Sequence, residues 1–303
     1  MVQRRKLDHL PDRFPLACQW EVTCRCNLHC VMCYTDCFNE PAHIRRELST
    51  VDLLRIMDEL AEAGCLELCL TGGEPLARPD FFQIYERAIH LGFLVTLFTN
   101  GTLITESIAD RLAALPPYRI EISLHGLTAT TFEQVTMGRG SFNRCRQAIA
   151  WLLDRQIPLI LKSTAMTVNR HEILSIKRYV EAIGSVGYKL GEEIRPALDG
   201  SGVPFQFALQ SEVLDELHRQ DPQLSRETCE RTVPDTRPCL SGMRRFHIDA
   251  YGILQLCSGN RAHGYDLRKG SFQEGFYDYL PSFGCRWKGQ ATASLVHPSV
   301  THV

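Results

Sequence analysis

Between residues 17 and 194 short apolar runs alternate with amphipathic helical patterns, and no other feature of this sequence limits its fold so tightly. Runs at 17–23 (ACQWEVT), 65–70 (CLELCL), 93–99 (FLVTLFT), 118–124 (YRIEISL), 158–166 (PLILKSTAM) and 188–194 read as strands. Between them, residues 50–63 place Leu53, Leu54, Met57, Leu60 and Ala61 on one helical face. Ser49 with Asp52 predicts a capping box ahead of this helix, and Asn169 with Glu172 predicts another before a helix near 171–183. Pro79 suits the first turn of the helix that follows Arg78. Six strand–helix units in series call for parallel strands joined by right-handed crossovers, which a doubly wound sheet and a partial barrel both satisfy. In either architecture the functional residues belong on loops at the C-terminal ends of the strands.

Two strands carry polar groups where helix-covered parallel strands are normally apolar. Arg119, Glu121 and Ser123 share one face of the fourth, and Lys162 and Thr164 share one face of the fifth. Arg119 and Glu121 fit a solvated strand end, the reading preferred for Arg119. Ser123 and Lys162, deeper in their runs, fit a face turned toward a polar ligand.

The chain has 303 residues, 44% of them hydrophobic, enough to bury one large core beside a smaller unit. Net charge is −2 and no basic block follows Arg4-Arg5-Lys6, so no nucleic-acid partner is expected. The N-terminus lacks the apolar core of a signal peptide, and no stretch reaches the roughly 18 apolar residues of a membrane span. The expectation is a cytoplasmic protein without membrane contact. Thirteen cysteines are the anomaly, since a reducing compartment disfavours disulfides and leaves metal binding, catalysis or burial as uses for thiols. Six lie between Cys18 and Cys37 and four (Cys229, Cys239, Cys257, Cys285) lie late in the chain, which suggests two metal sites. Cys65, Cys69 and Cys145 sit singly in periodic segments and read as small core residues. A Gly/Pro-rich break at 198–206 and the loss of alternation beyond 211–220 divide the chain into an N-terminal segment (1–16), the alternating region (17–228) and a cysteine-bearing extension (229–303).

After the first strand comes Cys26-Asn27-Leu28-His29-Cys30-Val31-Met32-Cys33-Tyr34. Three thiolates on one short loop can bind three corners of a cubane and leave its fourth iron free to chelate a small molecule. Thr71-Gly72-Gly73-Glu74-Pro75 follows the second strand, Thr99-Asn100-Gly101 ends the third and Ser123-Leu124-His125-Gly126 ends the fourth. In order and placement these motifs resemble those of the radical S-adenosylmethionine (AdoMet) superfamily, over about residues 17–195. The resemblance extends to Glu21-Val22-Thr23 ahead of the loop and Asn27-Leu28 within it. It departs at Met32, where the family often has an aromatic; here Tyr34 follows the third cysteine instead. The rival reading is a zinc site built from Cys24, Cys26, Cys30 and Cys33, which gives no reason for the other motifs. Cys24, Cys37 and His29 read as bystanders, and Gly138-Arg139-Gly140-Ser141-Phe142 resembles a loop that starts a helix in relatives.

The resemblance implies a partial (β/α)6 TIM-like barrel with a small cysteine-rich α+β extension. It also implies a [4Fe–4S] cluster on Cys26, Cys30 and Cys33, and AdoMet held by Gly72, Gly73 and the Glu74 carboxylate. Tyr34 would pack near the adenine, Asn100 and Ser123 near the ribose or methionine portions, and Lys162 near the AdoMet carboxylate. In the late segment, Cys239, then Gly252-Ile253-Leu254-Gln255-Leu256-Cys257, then Cys285-Arg286-Trp287 resembles the SPASM and twitch extensions, with a β-hairpin at 247–254. Four cysteines there suffice for one auxiliary iron–sulfur cluster, on Cys239, Cys257 and Cys285 with Cys229 as fourth ligand. The alternatives are a zinc knuckle or a module without metal.

By resemblance, a one-electron donor such as flavodoxin or ferredoxin reduces the cluster, AdoMet is cleaved, and the resulting 5′-deoxyadenosyl radical abstracts hydrogen from substrate. The substrate class the extension suggests is a ribosomally made peptide or protein undergoing maturation. The alternatives are a small-molecule cofactor precursor or tetrapyrrole, and a non-catalytic metal-binding or peptide-docking protein.

Overall fold

The computed structural model describes residues 13–224 and 240–283. The elements run β1 (Ala17–Glu21), α1 (Pro41–Ile44), α2 (Thr50–Glu62), β2 (Glu67–Thr71), α3 (Phe81–His90), β3 (Leu94–Thr99), α4 (Glu106–Ala114) and β4 (Arg119–Ser123). They continue with α5 (Ala129–Thr136), α6 (Ser141–Asp154), β5 (Leu159–Thr164), α7 (Ile173–Ile183), β6 (Gly187–Gly191), α8 (Ser211–Gln220), β7 (Arg245–Ile248), β8 (Ile253–Cys257) and β9 (Asn260–Asp266). The strands form one open sheet in the order β6-β5-β4-β3-β2-β1-β7-β8-β9, so all six expected strands are present and parallel. Of the two arrangements that six sequential strand–helix units allow, this is the open, partial barrel that the resemblance implies.

Residue alternation decides what each face of the sheet meets. Cys18, Trp20, Leu68, Leu70, Val95, Leu97, Ile120, Ile122 and Leu161 belong to the buried core. From the helices, Leu53, Ile56, Met57 and Leu60 of α2, Phe81, Ile84 and Tyr85 of α3, and Ala148, Ile149 and Leu152 of α6 join the same cluster. The opposite face carries Gln19, Phe98, Ser123, Lys162 and Thr164, all of which line a cavity. The Ser49 oxygen accepts from the Asp52 N–H and caps α2 as expected.

Three local readings are corrected. Asn169 does not cap α7; its oxygen accepts from the Met166 N–H (2.8 Å) and its amide donates to the carbonyls of His125 (3.0 Å) and Thr164 (2.9 Å). Glu172, its supposed partner, reaches across to α5, accepting from the Leu127 N–H and from the hydroxyls of Thr128 and Thr131. The helix expected at Pro79 begins two residues later, at Phe81. Glu121 is not at a solvated end; it is 1% exposed and held by Arg119 (3.0 Å), Lys162 (3.4 Å) and Lys189 (2.7 Å). Arg119, about a third exposed, does sit toward solvent.

The described part of the extension continues the sheet. β7 lies parallel to β1, pairing Ala17 with Arg245 and Trp20 with Ile248, and β8 and β9 follow as antiparallel strands. The anticipated hairpin turn is closed by Asp249, whose carboxylate accepts from the N–H groups of Tyr251 and Ile253 (both 2.9 Å). Gly252 turns the chain at φ +83°, and a Cβ there would stand 2.7 Å from the Leu48 side chain. Gly252→Ala should therefore cost about 1–2 kcal/mol, the penalty for an L-residue in the left-handed region, read as a lowered denaturant midpoint with unchanged m-value.

Candidate active site

The loop from Thr23 to Cys33 is fixed at both ends before any ligand is considered. At its start, the buried Glu47 carboxylate accepts from the Thr23 hydroxyl (2.5 Å) and the Cys24 N–H (2.8 Å), and pairs with Arg25 (3.1 Å). Asn39 clamps Cys26 by accepting from its N–H (3.0 Å) and donating to its carbonyl (2.7 Å). Farther along, the N–H groups of His29 and Val31 donate to the carbonyls of Thr136 and Val135 at the end of α5. Met32 and Val31 pack with Val135, Met166 and Ile194.

The turn after β2 lies directly on this loop. The N–H of Gly73 donates to the Thr23 carbonyl (2.9 Å) and that of Glu74 to the Arg25 carbonyl (2.7 Å). A Cβ at Gly72 would sit 2.3 Å from the Thr23 oxygen, and one at Gly73 2.4 Å from the Arg25 oxygen. Both glycines are thus required by backbone contact.

Cys26, Cys30, Cys33, Tyr34, Gly72, Gly73, Asn100, Ser123 and Lys162 all line one cavity of about 820 Å³ at the C-terminal ends of the strands. Glu74 does not line it. Its buried carboxylate accepts from the Thr99 hydroxyl (2.8 Å) and from the N–H groups of Asn100 (2.7 Å) and Leu76 (3.1 Å), tying the ends of β2 and β3 together. Burial pushes this carboxyl up to about 7. What the second motif presents to the cavity is the backbone of Gly72 and Gly73, where the sequence suggested the carboxylate.

The donor set fits a cluster with three thiolate ligands. Burial raises the Cys26 thiol to about 12 and lifts Cys30 and Cys33 as well, and the neighbouring thiols raise Cys26 and Cys30 further. Such thiols give up protons only to a metal or another strong cation. Two donors already approach the Cys26 sulfur, the Leu28 N–H (3.5 Å) and the Asn100 amide (3.9 Å). The zinc reading loses its fourth ligand, because Cys24 is buried and does not line the cavity. Among the described residues, no group of three His, Cys, Asp or Glu side chains converges on a single-ion position.

Lys162 reaches the cavity over the Phe98 ring, 3.1 Å from its centre, and shares Glu121 with two other cations. The cluster of charges keeps a positive excess beside the cavity. His125 is buried, its Nδ1 accepts from the Thr164 N–H (3.3 Å), and burial together with Lys162 lowers it to about 4, so it is neutral at physiological pH.

Arg195, Ser258 and Gln19 also line the cavity, and sequence reasoning did not single them out. Arg195 donates to the Ser258 hydroxyl (3.2 Å), linking the end of β6 to the end of β8. Tyr34 lies between Arg195 and Arg261, its ring 5.8 and 5.6 Å from the two guanidiniums. Arg261 also holds both oxygens of Glu21, one of which lies 3.3 Å from His247, and these partners keep the Glu21 carboxyl at about 2 despite burial. Cys257 is half-buried next to Ser258 at the cavity edge. Cys229, Cys239 and Cys285 lie outside the described residues. No helix among the described residues is long and apolar enough to cross a membrane.

With this geometry, comparison with known proteins gives the class. The Radical SAM superfamily model matches residues 20–180, and the chain belongs to that superfamily. It is 35% identical over 175 residues to an AdoMet-dependent heme synthase of Methanosarcina barkeri, covering 57% of this chain and 49% of that one. It is 30% identical over 261 residues to the mycofactocin maturase MftC of Mycolicibacterium smegmatis, covering 82% of this chain and 60% of that one. The chain spans about half the length of the first of these relatives. Its fold is similar to that of Streptococcus suis SuiB solved with S-adenosylmethionine, at a TM-score of 0.70 and 15% identity over 88% of this chain and 66% of SuiB. SuiB bound to the precursor peptide SuiA aligns at a TM-score of 0.64 and 15% identity, over 89% of this chain and 66% of SuiB.

Two outcomes follow from the site. Gly73→Ala drives a methyl into the Arg25 and Cys24 carbonyls and should lower the melting temperature by several degrees, measured by scanning calorimetry. For Glu21, the folded pKa lies below the ordinary 4.5. Its contribution is therefore complete above about pH 4.5 and lost as pH falls toward 2. Glu21→Gln should cost on the order of 3 kcal/mol at neutral pH and flatten the acid limb of a stability–pH profile between those values.

Proposed function

We propose that this chain reductively cleaves AdoMet and uses the resulting radical to modify a ribosomally made peptide or protein. The carrying observation is that three thiols and a glycine backbone turn, each fixed by its own hydrogen bonds, meet at one cavity. Its volume of about 820 Å³ lies toward the upper end of roughly 300–1,000 Å³ for ligand sites, leaving space for more than the cofactor. Cys26, Cys30 and Cys33 would hold the [4Fe–4S] cluster, which when bound supplies the electron that splits AdoMet into methionine and a 5′-deoxyadenosyl radical. A one-electron donor protein completes the system.

The chain's own residues then bind and orient. The exposed backbone edge of Gly72 and Gly73 receives the AdoMet ammonium, while Glu74 keeps that edge in place through Thr99 and Asn100. Lys162, with surplus positive charge around it, attracts the AdoMet carboxylate. Ser123 and Asn100 contact the ribose and methionine portions, and Tyr34 packs against the adenine. Cys257, beside the cavity, joins Cys229, Cys239 and Cys285 as ligands of an auxiliary cluster.

The match to a maturase runs through 82% of the chain, beyond the barrel, whereas the match to the heme synthase covers 57%. That extent favours a peptide; a tetrapyrrole side chain is the second reading, resting on the 35% identity of the shorter match. Anaerobic reconstitution tests the proposal. About four irons for each cubane, with 5′-deoxyadenosine formed from AdoMet and dithionite, is the expected result, and about eight in total would include the auxiliary cluster. Replacing Cys26, Cys30 and Cys33 together by Ala should abolish 5′-deoxyadenosine formation, and continued cleavage by that variant would refute the assignment.

A further inference from the structure

The nine-stranded sheet ends on β6 at one side and β9 at the other, and residues just beyond these ends meet at the cavity. Arg195, shortly after β6, donates to the hydroxyl of Ser258 (3.2 Å). Ser258 and Gly259 form the turn between β8 and β9, where Cys257 faces Asn260. A Cβ at Gly259 would stand 3.3 Å from the Nη1 of Arg195, so the guanidinium lies directly on this turn. Arg195 and Ser258 both line the cavity.

The backbone that carries Arg195 is fixed on both sides of it. Ile194 packs with Val135 and Met166, and Val31 and Met32 of the cysteine loop pack against the same cluster. Pro196 follows, with its φ set by the ring. The Leu198 N–H then donates to the Tyr34 carbonyl (2.9 Å). A cation mounted in this way is positioned before any ligand arrives, which lowers the entropy lost on binding.

Two arginines flank the Tyr34 ring, and they are used differently. Arg261 donates to both oxygens of Glu21 and to the Ser258 carbonyl (3.1 Å), and it does not line the cavity. Arg195 does line it, pairs with no carboxylate among the described residues, and spends one donor on a neutral hydroxyl. Glu192 and Glu193 lie on the same segment and also face the cavity; Glu192 sits 2.9 Å from His218, and Glu193 has a partner of its own. The other cation on the cavity wall is Lys162 of β5. A guanidinium with spare donors suits a carboxylate, which it grips through two parallel N–H···O bonds. AdoMet carries one carboxylate and Lys162 is placed for it, so a second cation on a different wall calls for a second anion.

We propose that Arg195 determines substrate specificity by holding a carboxylate of the substrate, supplied by an acidic side chain or terminus of a peptide or by a propionate of a tetrapyrrole. The inference rests on the radical reading of the cavity and narrows its substrate to one with an anionic group within reach of Arg195. A two-point grip fixes orientation as well as place, and hydrogen abstraction from one particular carbon needs both.

The test uses the full chain, reconstituted with its cluster and saturated with AdoMet, so that the methionine carboxylate already occupies its own site. The peptide probes are N-acetyl-Ala-Glu-Ala amide and N-acetyl-Ala-Gln-Ala amide, alike in shape and different in one charge. Mesoporphyrin and its dimethyl ester form the tetrapyrrole pair. Phenylglyoxal, which modifies guanidiniums, should label Arg195 when AdoMet alone is present, read by peptide mapping. Labelling should slow severalfold with the charged member of one pair and stay unchanged with its neutral counterpart. Protection by the glutamyl peptide identifies a peptide carboxylate as the source, and protection by mesoporphyrin alone identifies a propionate. The affinity of the protecting probe, from saturation-transfer NMR, should fall about tenfold or more in Arg195→Gln, the scale of a lost charge-assisted hydrogen bond. It should recover in part in Arg195→Lys and change little in Ser258→Ala, which removes the brace and keeps the charge. Equal protection by charged and neutral probes, or protection by neither, would overturn the proposal. So would an equal loss of AdoMet affinity in Arg195→Gln, which would hand this cation to the AdoMet carboxylate. Failure of the parent to cleave AdoMet with dithionite would instead refute the radical assignment, on which labelling of Arg195 does not depend.

Discussion

The contact on which the rest of the site depends is backbone against backbone. The turn after β2 lies on the loop after β1 through two N–H to carbonyl bonds, from Gly73 to Thr23 and from Glu74 to Arg25, with no space for a side chain between them. Paired backbone groups in a buried setting are costly to leave unmade, so this seam sets the height of the cysteine loop above the sheet. The supports arranged around it act on the same seam from other directions: Glu47 from beneath, Asn39 from the surface, and the end of α5 from the far side. Glu74 adds the next strand by bonding to Thr99 and Asn100. The loop's conformation is therefore a property of three strands and one helix.

The polar inner face of the sheet follows a different logic. Three cations share the Glu121 carboxylate, which lies below its usual range because of them. A buried charge without partners would be prohibitively costly, and a single carboxylate among three cations leaves the group positive as a whole. That arrangement suits an anionic ligand group at the cavity floor and would be wasteful under an apolar one. Neutral His125 nearby adds a polar wall without adding charge.

Much of this was legible in the sequence because strand-end motifs are local. A parallel sheet gathers the residues after each strand at one edge, so Cys26, Gly72, Asn100 and Ser123 had to meet once the alternation was recognised. The interior placement of Lys162 followed from period-two alternation alone. Long-range partners left no such trace: Arg261 meets Glu21 across 240 positions, and nothing periodic marks either residue for the other. Asn169 was misread because Asn-x-x-Glu has the same spacing whether the asparagine caps its own helix or ties neighbouring loops. Glu74 was assigned to the ligand because a carboxylate suits an ammonium; its actual partners are a hydroxyl and two backbone N–H groups that sequence cannot reveal. Glu121 was drawn toward solvent by its charge, since the two lysines that bury it lie on other strands.

The position of β7 beside β1 has a consequence for how the molecule is made. β1 precedes the other described strands in the chain, yet one of its two hydrogen-bonding edges is satisfied by residues 245–248. Until those residues leave the ribosome, β1 presents an open edge at the margin of an otherwise growing parallel sheet, the geometry most prone to pairing with another chain. The Glu21–Arg261 pair, and the packing of Tyr34 near the same arginine, form later still. The wall of the cavity is thus closed by the last described strands, which makes ordering of the site a late event in folding and ties insertion of any metal cluster to the maturity of the whole sheet.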